Sequence, residues 1–499
     1  MKQTSPQSMM QVGRRSAFTV FLFLTFCANT LFAADLYVGT GRVDITPDKI
    51  CGLAGQWKPR FTKSSLYPLE LNITLLESRE KDQILDSALI VSMDTACVFA
   101  PMFRAMQDTV KKTVPNFDPN KLMVCATHTH SAPYLSVIPA EQIPKGMEIM
   151  NGPEYVEFVA KRFETALGQV LKTRQKAQYS YGLGHAVVAL NRRAVYADGT
   201  AVMYGKTNRP DFRAVEGFED HDVHSIFFWN MKNEPIAMFV SVACPSQEEE
   251  GNKQASSDFW GPVKRDLRQK FGKDIPVVTM CGAAGDMSPH LRYQQQAEYR
   301  MDRLRGLNRL EEIARRIVVA VDDTYNVVEK DKQTSPILKH KRIWLDLPER
   351  KVTKDEYESC KRQYESLLKS DPANGQIRWN KRIMARYEKL SKNPNPVFRV
   401  PVNVLRLGDT AICTNQFELY TDFATQIKAQ SPAVETIVVQ LTNAVLDPTD
   451  HMTGGSYLPS ARAAQHGGYG AIVQSNTIGP EGGQILVEET LKTINEFWK

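Results

Sequence analysis

Short apolar strand patterns alternate with amphipathic helix patterns along most of this 499-residue chain. Strands are predicted from alternating or fully apolar runs at 36–47, 71–76, 88–93 and 275–280. Between such runs, apolar residues that recur every three or four positions predict helices, the longest of them at 153–171. Strands interleaved with helices predict an α/β fold built on central mixed β-sheets.

The segment from 330 to 400 is richer in charged residues than its surroundings. Two helical patterns, at 354–368 and 377–390, are joined by a short Pro/Asn/Gly turn. Strand-like runs at 343–347 and 400–407 flank the two helices. We therefore predict a charged helical hairpin inserted into the α/β fold, rather than a second catalytic unit.

The first 34 residues have the composition of a leader segment. A basic start containing Lys2, Arg14 and Arg15 precedes an apolar run at 17–31 that ends near a pair of alanines. This pattern predicts a secretory signal peptide over 1–34 and a periplasmic or secreted protein. The remaining residues, 35–499, are expected to form a single domain.

Net charge and cysteine spacing argue against a nucleic-acid-binding protein and against a protein held together by a disulfide framework. The formal net charge is +6, and three of the cationic residues lie in the predicted leader. So mild a charge does not favour nucleic-acid binding, which needs a clustered basic face. One of the eight cysteines lies in the leader, and the others are scattered without the spacing of a disulfide framework. Most of them are expected to be buried free thiols.

A Thr-His-Thr-His motif follows the apolar run 122–124 and contains His128 and His130. Imidazole is a common zinc ligand and the usual acid or base near neutral pH. On a strand, alternation would place both rings on one face, roughly 6–7 Å apart along the chain. The alternative is a pair of surface or core histidines. The position at a strand end, where α/β proteins build their sites, favours a functional role.

Other candidate residues are spread along the chain. Ser288 lies in a Gly-Asp-Met-Ser-Pro turn after a predicted strand, although no Gly-x-Ser-x-Gly elbow is present. Arg192 could clamp an anionic oxygen, or it could be a surface ion-pair partner. Glu418 could bind a metal, and Tyr457 and Tyr469 could donate protons. Their structural alternatives are a glutamate at the start of a helix predicted from position 417 and two packed tyrosines.

Taken in order, these motifs resemble the neutral/alkaline ceramidase family. The matching motifs are Gly-Arg-Val-Asp-Ile-Thr-Pro at 41–47, Thr-His-Thr-His at 127–130, Asn-Arg at 191–192, Gly-Asp-Met-Ser-Pro at 285–289, Tyr-Leu-Pro at 457–459 and Gly-Gly-Tyr at 467–469. Members of this family are secreted or membrane-facing zinc amidases that cleave ceramide into a sphingoid base and a fatty acid. The resemblance implies that 35–499 is a single ceramidase-like catalytic domain without the C-terminal immunoglobulin-like domain of longer members.

The resemblance also implies a zinc site. His128, Glu418 and Tyr457 would be ligands, but the stretch that should supply the family's second zinc histidine contains no histidine. Cys244 stands closest to its place. Since a thiolate is a good zinc ligand, Cys244 would complete the set, or else the site binds zinc weakly or has lost it. The glutamates at 248–250 are interpreted as a solvated acidic turn.

The remaining matches imply catalytic roles. His130 would face the substrate and support proton transfer, and Arg192 would hold the substrate or the developing oxyanion. Ser288 would contact or attack the amide, and Tyr469 would lie beside the reacting carbonyl.

These matches predict a secreted, zinc-dependent amidase that hydrolyses the N-acyl bond of ceramide or a related N-acyl lipid. A lipid substrate implies transient membrane contact, and no nucleic-acid partner is expected. Two alternatives stay open. The chain could hydrolyse another amide or ester, on a glycan or a peptide, or it could be a catalytically silent binding protein on the same fold.

Overall fold

The computed structural model describes residues 34–56, 58–371, 374–443 and 456–499. The predicted signal peptide lies outside these ranges apart from its last residue. Contacts divide the chain into Met1–Phe32 and Ala33–Lys499, and all described residues belong to the second unit. Within the described ranges, no helix is both long enough and apolar enough to cross a membrane.

The described chain contains strands and helices in alternation. The strands are β1 (Asp35–Asp44), β2 (Cys51–Leu53), β3 (Arg60–Thr62), β4 (Glu70–Glu80), β5 (Gln83–Met93), β6 (Leu122–Ala126), β7 (Gln175–His185), β8 (Leu190–Asn191), β9 (Arg193–Tyr196), β10 (Ala201–Met203), β11 (Phe212–Val215), β12 (Asp222–Asn230), β13 (Pro235–Val242), β14 (Val277–Cys281), β15 (Met287–Ser288), β16 (Leu338–Pro348), β17 (Val397–Leu407), β18 (Thr410–Thr414), β19 (Glu418–Leu419), β20 (Glu435–Val439) and β21 (Tyr457–Leu458). The helices are α1 (Ala100–Thr113), α2 (Gly152–Thr173), α3 (Trp260–Phe271), α4 (Gln295–Arg305), α5 (Arg309–Val328), α6 (Lys354–Ser370), α7 (Gln376–Leu390), α8 (Thr421–Gln430), α9 (Ala461–His466) and α10 (Pro480–Trp498).

Two mixed sheets form the centre of the fold. The larger has the strand order β14-β13-β12-β7-β1-β4-β5-β6, and the smaller has the order β16-β17-β18-β20. One apolar cluster contains side chains from both sheets, so the sheets pack face to face. Helices α1, α2, α3 and α5 cover the outer face of the larger sheet, and α8 and α10 cover that of the smaller sheet. The predicted α/β class, with mixed central sheets and interleaved helices, is confirmed.

Strand β5 shows how the sequence builds these layers. Leu89 and Val91 pack in the cluster beneath α1 and α2, whereas Ala88 and Ile90 pack in the cluster between the two sheets. Successive side chains of a strand point to opposite faces, so a run that is apolar at every position serves two cores.

The same topology occurs three times along the chain. The units are β1-β4-β5-α1-β6, β7-β12-β13-α3-β14 and β16-β17-β18-α8-β20. In each unit the first three strands are antiparallel, and the helix joins the third strand to a parallel fourth strand. A further helix, α2, α5 or α10, follows each unit and packs on that unit's first strand. The ends of the parallel third and fourth strands therefore occupy corresponding positions in the three units.

Close packing of the following helix requires glycine in two of the three units. Gly39 lies on β1, where a Cβ atom would be 2.5 Å from the carbonyl oxygen of Val170 in α2. Gly184 lies on β7, where a Cβ atom would be 3.0 Å from the carbonyl oxygen of Ala320 in α5. The helix backbone thus occupies the space that a side chain would need.

The predicted hairpin insertion is present as α6 and α7, which lie between β16 and β17 and pack on each other. The hairpin also contacts the loop that follows α9. Arg382 donates a hydrogen bond of 3.0 Å to the carbonyl oxygen of Gln474, and Arg386 donates one of 3.0 Å to that of Asn476. The insertion is therefore fastened to the C-terminal part of the chain.

We expect Gly39→Ala to lower the free energy of unfolding by about 1–3 kcal/mol, because α2 must move away from β1. The matched control is Gly168→Ala within α2 itself, where an added Cβ meets no atom within 4 Å. This control should be neutral, or stabilising by up to about 1 kcal/mol, because alanine favours helix. Urea unfolding of the two variants measures the difference, and equal stabilities would contradict the packing argument.

Candidate active site

The loops that follow β6, β13, β14 and β18 meet at one edge of the two packed sheets. Backbone hydrogen bonds connect them: the amide of His130 donates to the carbonyl of Ser246 at 3.1 Å, and the amide of Gly285 donates to that of Leu419 at 2.8 Å. The carboxyl ends of parallel strands are where α/β proteins place their ligands. Each of the three units contributes a loop to this edge.

His128 and His130 lie in the loop after β6, not on the strand, because β6 ends at Ala126. His128 has a φ of 61°, in the left-handed region that residues with side chains rarely adopt. This turn brings the two imidazoles together edge to face, with ring centroids 4.9 Å apart and Nε2 atoms 3.5 Å apart. A local turn, rather than strand alternation, therefore creates the histidine pair.

The imidazole of His128 has a defined orientation. Its Nδ1 lies 2.5 Å from the carbonyl oxygen of Ala96, so Nδ1 donates the proton. Its Nε2 lies 3.4 Å from Oε2 of Glu418. Burial acts to raise the pKa of Glu418, but contacts with His128 and Arg192 bring that pKa below its ordinary value, so Glu418 is a carboxylate. Nε2 of His128 thus faces a carboxylate oxygen, an arrangement that a proton or a metal cation between them would stabilise.

The second imidazole is held by a carboxylate. Nδ1 of His130 lies 2.8 Å from Oε2 of Glu250, which fixes the proton on Nδ1 and leaves the Nε2 lone pair facing His128. Burial lowers the pKa of His130, and Glu250 opposes part of this effect. The interpretation of 248–250 as a solvated acidic turn is wrong for Glu250. Its partner lies 120 positions earlier in the chain, so no local pattern could reveal the pair.

Glu418 and Tyr457 are direct partners in the short pairing of β19 with β21. Tyr469 packs against Tyr457 with ring centroids 5.4 Å apart, and its own side chain is 40% exposed. On its other side, Tyr469 contacts Trp379 of α7 at 5.8 Å. The hairpin insertion therefore contributes an aromatic side chain next to the site.

Arg192 is a buried charge within the site and not a surface ion-pair partner. Its guanidinium donates to the carbonyl oxygen of Gly285 at 2.9 Å, to the hydroxyl of Tyr204 at 2.7 Å and to the hydroxyl of Tyr457 at 3.3 Å. Tyr204 was not among the predicted residues. It lies in an irregular stretch after β10, where the sequence shows no motif.

Ser288 is fully buried beside this network. Its Oγ accepts one hydrogen bond of 3.2 Å from the backbone amide of His290 and another of 3.1 Å from Nε2 of Gln247. The same Nε2 donates to the hydroxyl of Tyr204. Gln247, which no sequence motif marks, thus links the serine to the arginine network.

Cys244 is separate from these residues. Its Sγ contacts the carbonyl oxygens of Val188 and Pro245, within an apolar cluster that includes Phe259. Burial raises the pKa of this thiol well above its ordinary value, which favours the neutral form. Within the described part of the chain, no group of three His, Cys, Asp or Glu side chains is arranged to hold a metal ion. The structure thus brings together the other predicted site residues, but not Cys244.

Solved structures of ceramidases share this fold. Neutral ceramidase from Pseudomonas aeruginosa superposes with a TM-score of 0.64, over 93% of this chain and 75% of that one, at 14% sequence identity. The chain has the fold of neutral ceramidase. A second structure, of a ceramidase complexed with C2, gives a TM-score of 0.62 over 92% of this chain and 75% of the other, at 13% identity. No protein-family model and no curated protein matches the sequence.

We expect Arg192→Lys to lower the free energy of unfolding by about 2 kcal/mol, because one ammonium group cannot reach the three acceptors that the guanidinium bridges. The control is Arg209→Lys, which changes an exposed pair with Asp211 and should alter stability by less than about 0.5 kcal/mol. Urea unfolding of both variants tests the difference. A stable Arg192→Lys protein would mean that the buried network does not depend on the guanidinium.

Proposed function

We propose that this protein is a secreted or periplasmic zinc-dependent amidase that hydrolyses the N-acyl bond of ceramide or a related N-acyl lipid. The observation that carries the proposal is the pair of Nε2 atoms, on His128 and His130, beside the Glu418 carboxylate and the buried Arg192. The neutral ceramidase fold supports the same reaction class. Fold alone would not suffice, since related folds host different activities.

The donor set fits a zinc ion. His128, Glu418 and Tyr457 would hold it, because zinc takes imidazole nitrogen and anionic oxygen ligands and Nε2 of His128 already lies 3.4 Å from the carboxylate of Glu418. Three protein ligands are typical of catalytic zinc sites, so Cys244 is not needed as a fourth. Zinc, when bound, supplies an acidified water as nucleophile and polarises the amide carbonyl.

The chain's own residues would move the protons. Nε2 of His130 would accept a proton from the attacking water, while Glu250 stabilises the imidazolium that forms. His130 would then return this proton to the leaving nitrogen as the C–N bond breaks, which yields a fatty acid and a free amine. Arg192 supplies a fixed positive charge where the oxyanion develops, and Tyr469 would lie at the open side of the reacting carbonyl.

Ser288 is better suited to contact the substrate than to attack it. Its Oγ already accepts two N–H donors, so both lone pairs are engaged and its own proton is free to be donated. A nucleophilic serine would need a base that accepts this proton. The serine would therefore donate a hydrogen bond to the substrate.

A catalytically silent binding protein on the same fold is the second candidate. One observation favours it: among the described residues, no group of three His, Cys, Asp or Glu side chains is arranged to bind a metal ion. Metal content and hydrolysis together distinguish the two candidates.

We expect the purified protein to bind about one zinc ion per chain and to release fatty acid from ceramide or a simpler N-acyl amine. Glu418→Gln should lower zinc content and hydrolysis together. The control is Glu435→Gln, which changes a buried carboxylate 2.7 Å from His224, outside the site, and should leave both unchanged. Metal analysis and fatty-acid release are the measurements. A folded protein that releases no fatty acid contradicts the proposal, and one that also binds no zinc supports the silent binding protein.

We expect Glu250→Gln to lower the turnover number about 10–100-fold, because an amide stabilises neither the orientation nor the positive charge of His130 as well as a carboxylate does. Glu249→Gln is the matched control, since Glu249 is the adjacent glutamate and its side chain contacts Asn252 instead. Steady-state kinetics of both variants should show the loss in kcat for Glu250→Gln alone. An equal effect of the two substitutions would remove Glu250 from the proposed mechanism.

A further inference from the structure

The side chain of Gln247 is fully buried, yet only half of its amide is paired. Its Nε2 donates to Oγ of Ser288 at 3.1 Å and to the hydroxyl of Tyr204. Its Oε1 has no hydrogen-bond partner among the described residues. Because both atoms belong to one planar carboxamide, the unpaired oxygen lies beside the serine and tyrosine that the amide nitrogen contacts.

A buried carbonyl oxygen without a donor is costly. Such a group loses its hydrogen bonds to water without replacement, and the large majority of buried polar atoms in folded proteins have a partner. Both N–H groups of Gln247 are already used, so its free capacity is that of an acceptor alone. The missing partner must therefore bring a hydrogen-bond donor into the site.

Ser288 has unused hydrogen-bonding capacity of the opposite kind, as a donor. Its Oγ accepts hydrogen bonds from Gln247 and from the backbone of His290, so its remaining capacity is to donate its proton. The two neighbouring side chains together offer one donor and one acceptor. The N–H of a secondary amide supplies the donor that Oε1 of Gln247 lacks, and Ser288 can donate to another acceptor of the substrate.

We propose that Gln247 recognises the N–H of the scissile amide through Oε1. This inference rests on the proposed function and specifies its substrate class. The site selects secondary N-acyl amides over the corresponding O-acyl esters, because an ester has no N–H and leaves Oε1 unpaired. A site built to bind a substrate N–H discriminates strongly against an analogue that lacks it.

The test compares an N-acyl amine with the matched O-acyl ester of the same acyl chain. Wild-type protein, Gln247→Met and Gln247→Glu are assayed on both substrates, and kcat/KM gives the amide-to-ester preference. Methionine has a similar length and no strong acceptor, so Gln247→Met should reduce the preference at least about tenfold. Glutamate keeps an acceptor oxygen, so Gln247→Glu should retain more of the preference. It also serves as the second variant if Gln247→Met does not fold.

Gln178→Met is the control for loss of a glutamine amide elsewhere. Gln178 lies on β7 and donates to the carbonyl oxygen of Asn230 at 3.2 Å, so its substitution should leave the preference unchanged. If Gln247→Met lowers hydrolysis of amide and ester by the same factor, the inference is overturned, and a buried water satisfies Oε1 instead.

The binding of the same two compounds separates this inference from the proposed function. If the wild-type protein hydrolyses neither compound, the proposed function fails, and calorimetric titration still measures amide-to-ester selectivity. Tighter binding of the amide by wild-type protein, lost in Gln247→Met, supports the role of Gln247. Equal affinity of wild-type protein for amide and ester overturns it.

Discussion

The contact between Nε2 of His128 and the carboxylate of Glu418 is the constraint on which the site depends. His128 lies in the loop after β6 of the larger sheet, Glu418 lies in the segment after β18 of the smaller sheet, and both are buried. Nε2 and a carboxylate oxygen 3.4 Å apart are stabilised by positive charge between or beside them, either a proton on Nε2 or a metal cation. Arg192 supplies part of that charge from one side. The chain thus holds an arrangement that a bound cation would stabilise. This arrangement lies at the edge of the sheets where the strand-end loops meet.

The polar residues of the site form one connected network rather than separate functional groups. Arg192 connects Tyr457 to Tyr204, and Tyr204 connects to Ser288 through Gln247. Networks of this kind are favourable when every member is satisfied and costly when one is not. Among the described residues, Nε of Arg192 and Oε1 of Gln247 are unsatisfied members of this network, and the acceptor on Gln247 is therefore informative about what enters the site.

The pattern of apolar residues predicted helices and strands well where it was regular over many positions. The spacing of apolar residues predicted α2, and the apolar run predicted β14, within a few residues of their observed bounds. The helix predicted from position 417 begins instead at Thr421, because Glu418 pairs with the distant Tyr457 in a two-residue strand. Family motifs located most of the site, since they are contiguous in sequence. Glu250, Tyr204 and Gln247 could not be found in this way, because their roles arise from contacts with residues more than ten positions away.

The threefold repeat of the topology has a consequence for how the site would respond to stress. Two units share one sheet, while the third forms the other, and the ligand set spans the boundary between them. Each sheet can keep its own hydrogen bonds while the apolar layer between them loosens, since partial opening of a protein usually follows such structural boundaries. A small separation of the sheets would move Glu418 away from His128 before either sheet unfolds. Loss of the site should thus be the earliest sign of a weakened core, well before any loss of secondary structure.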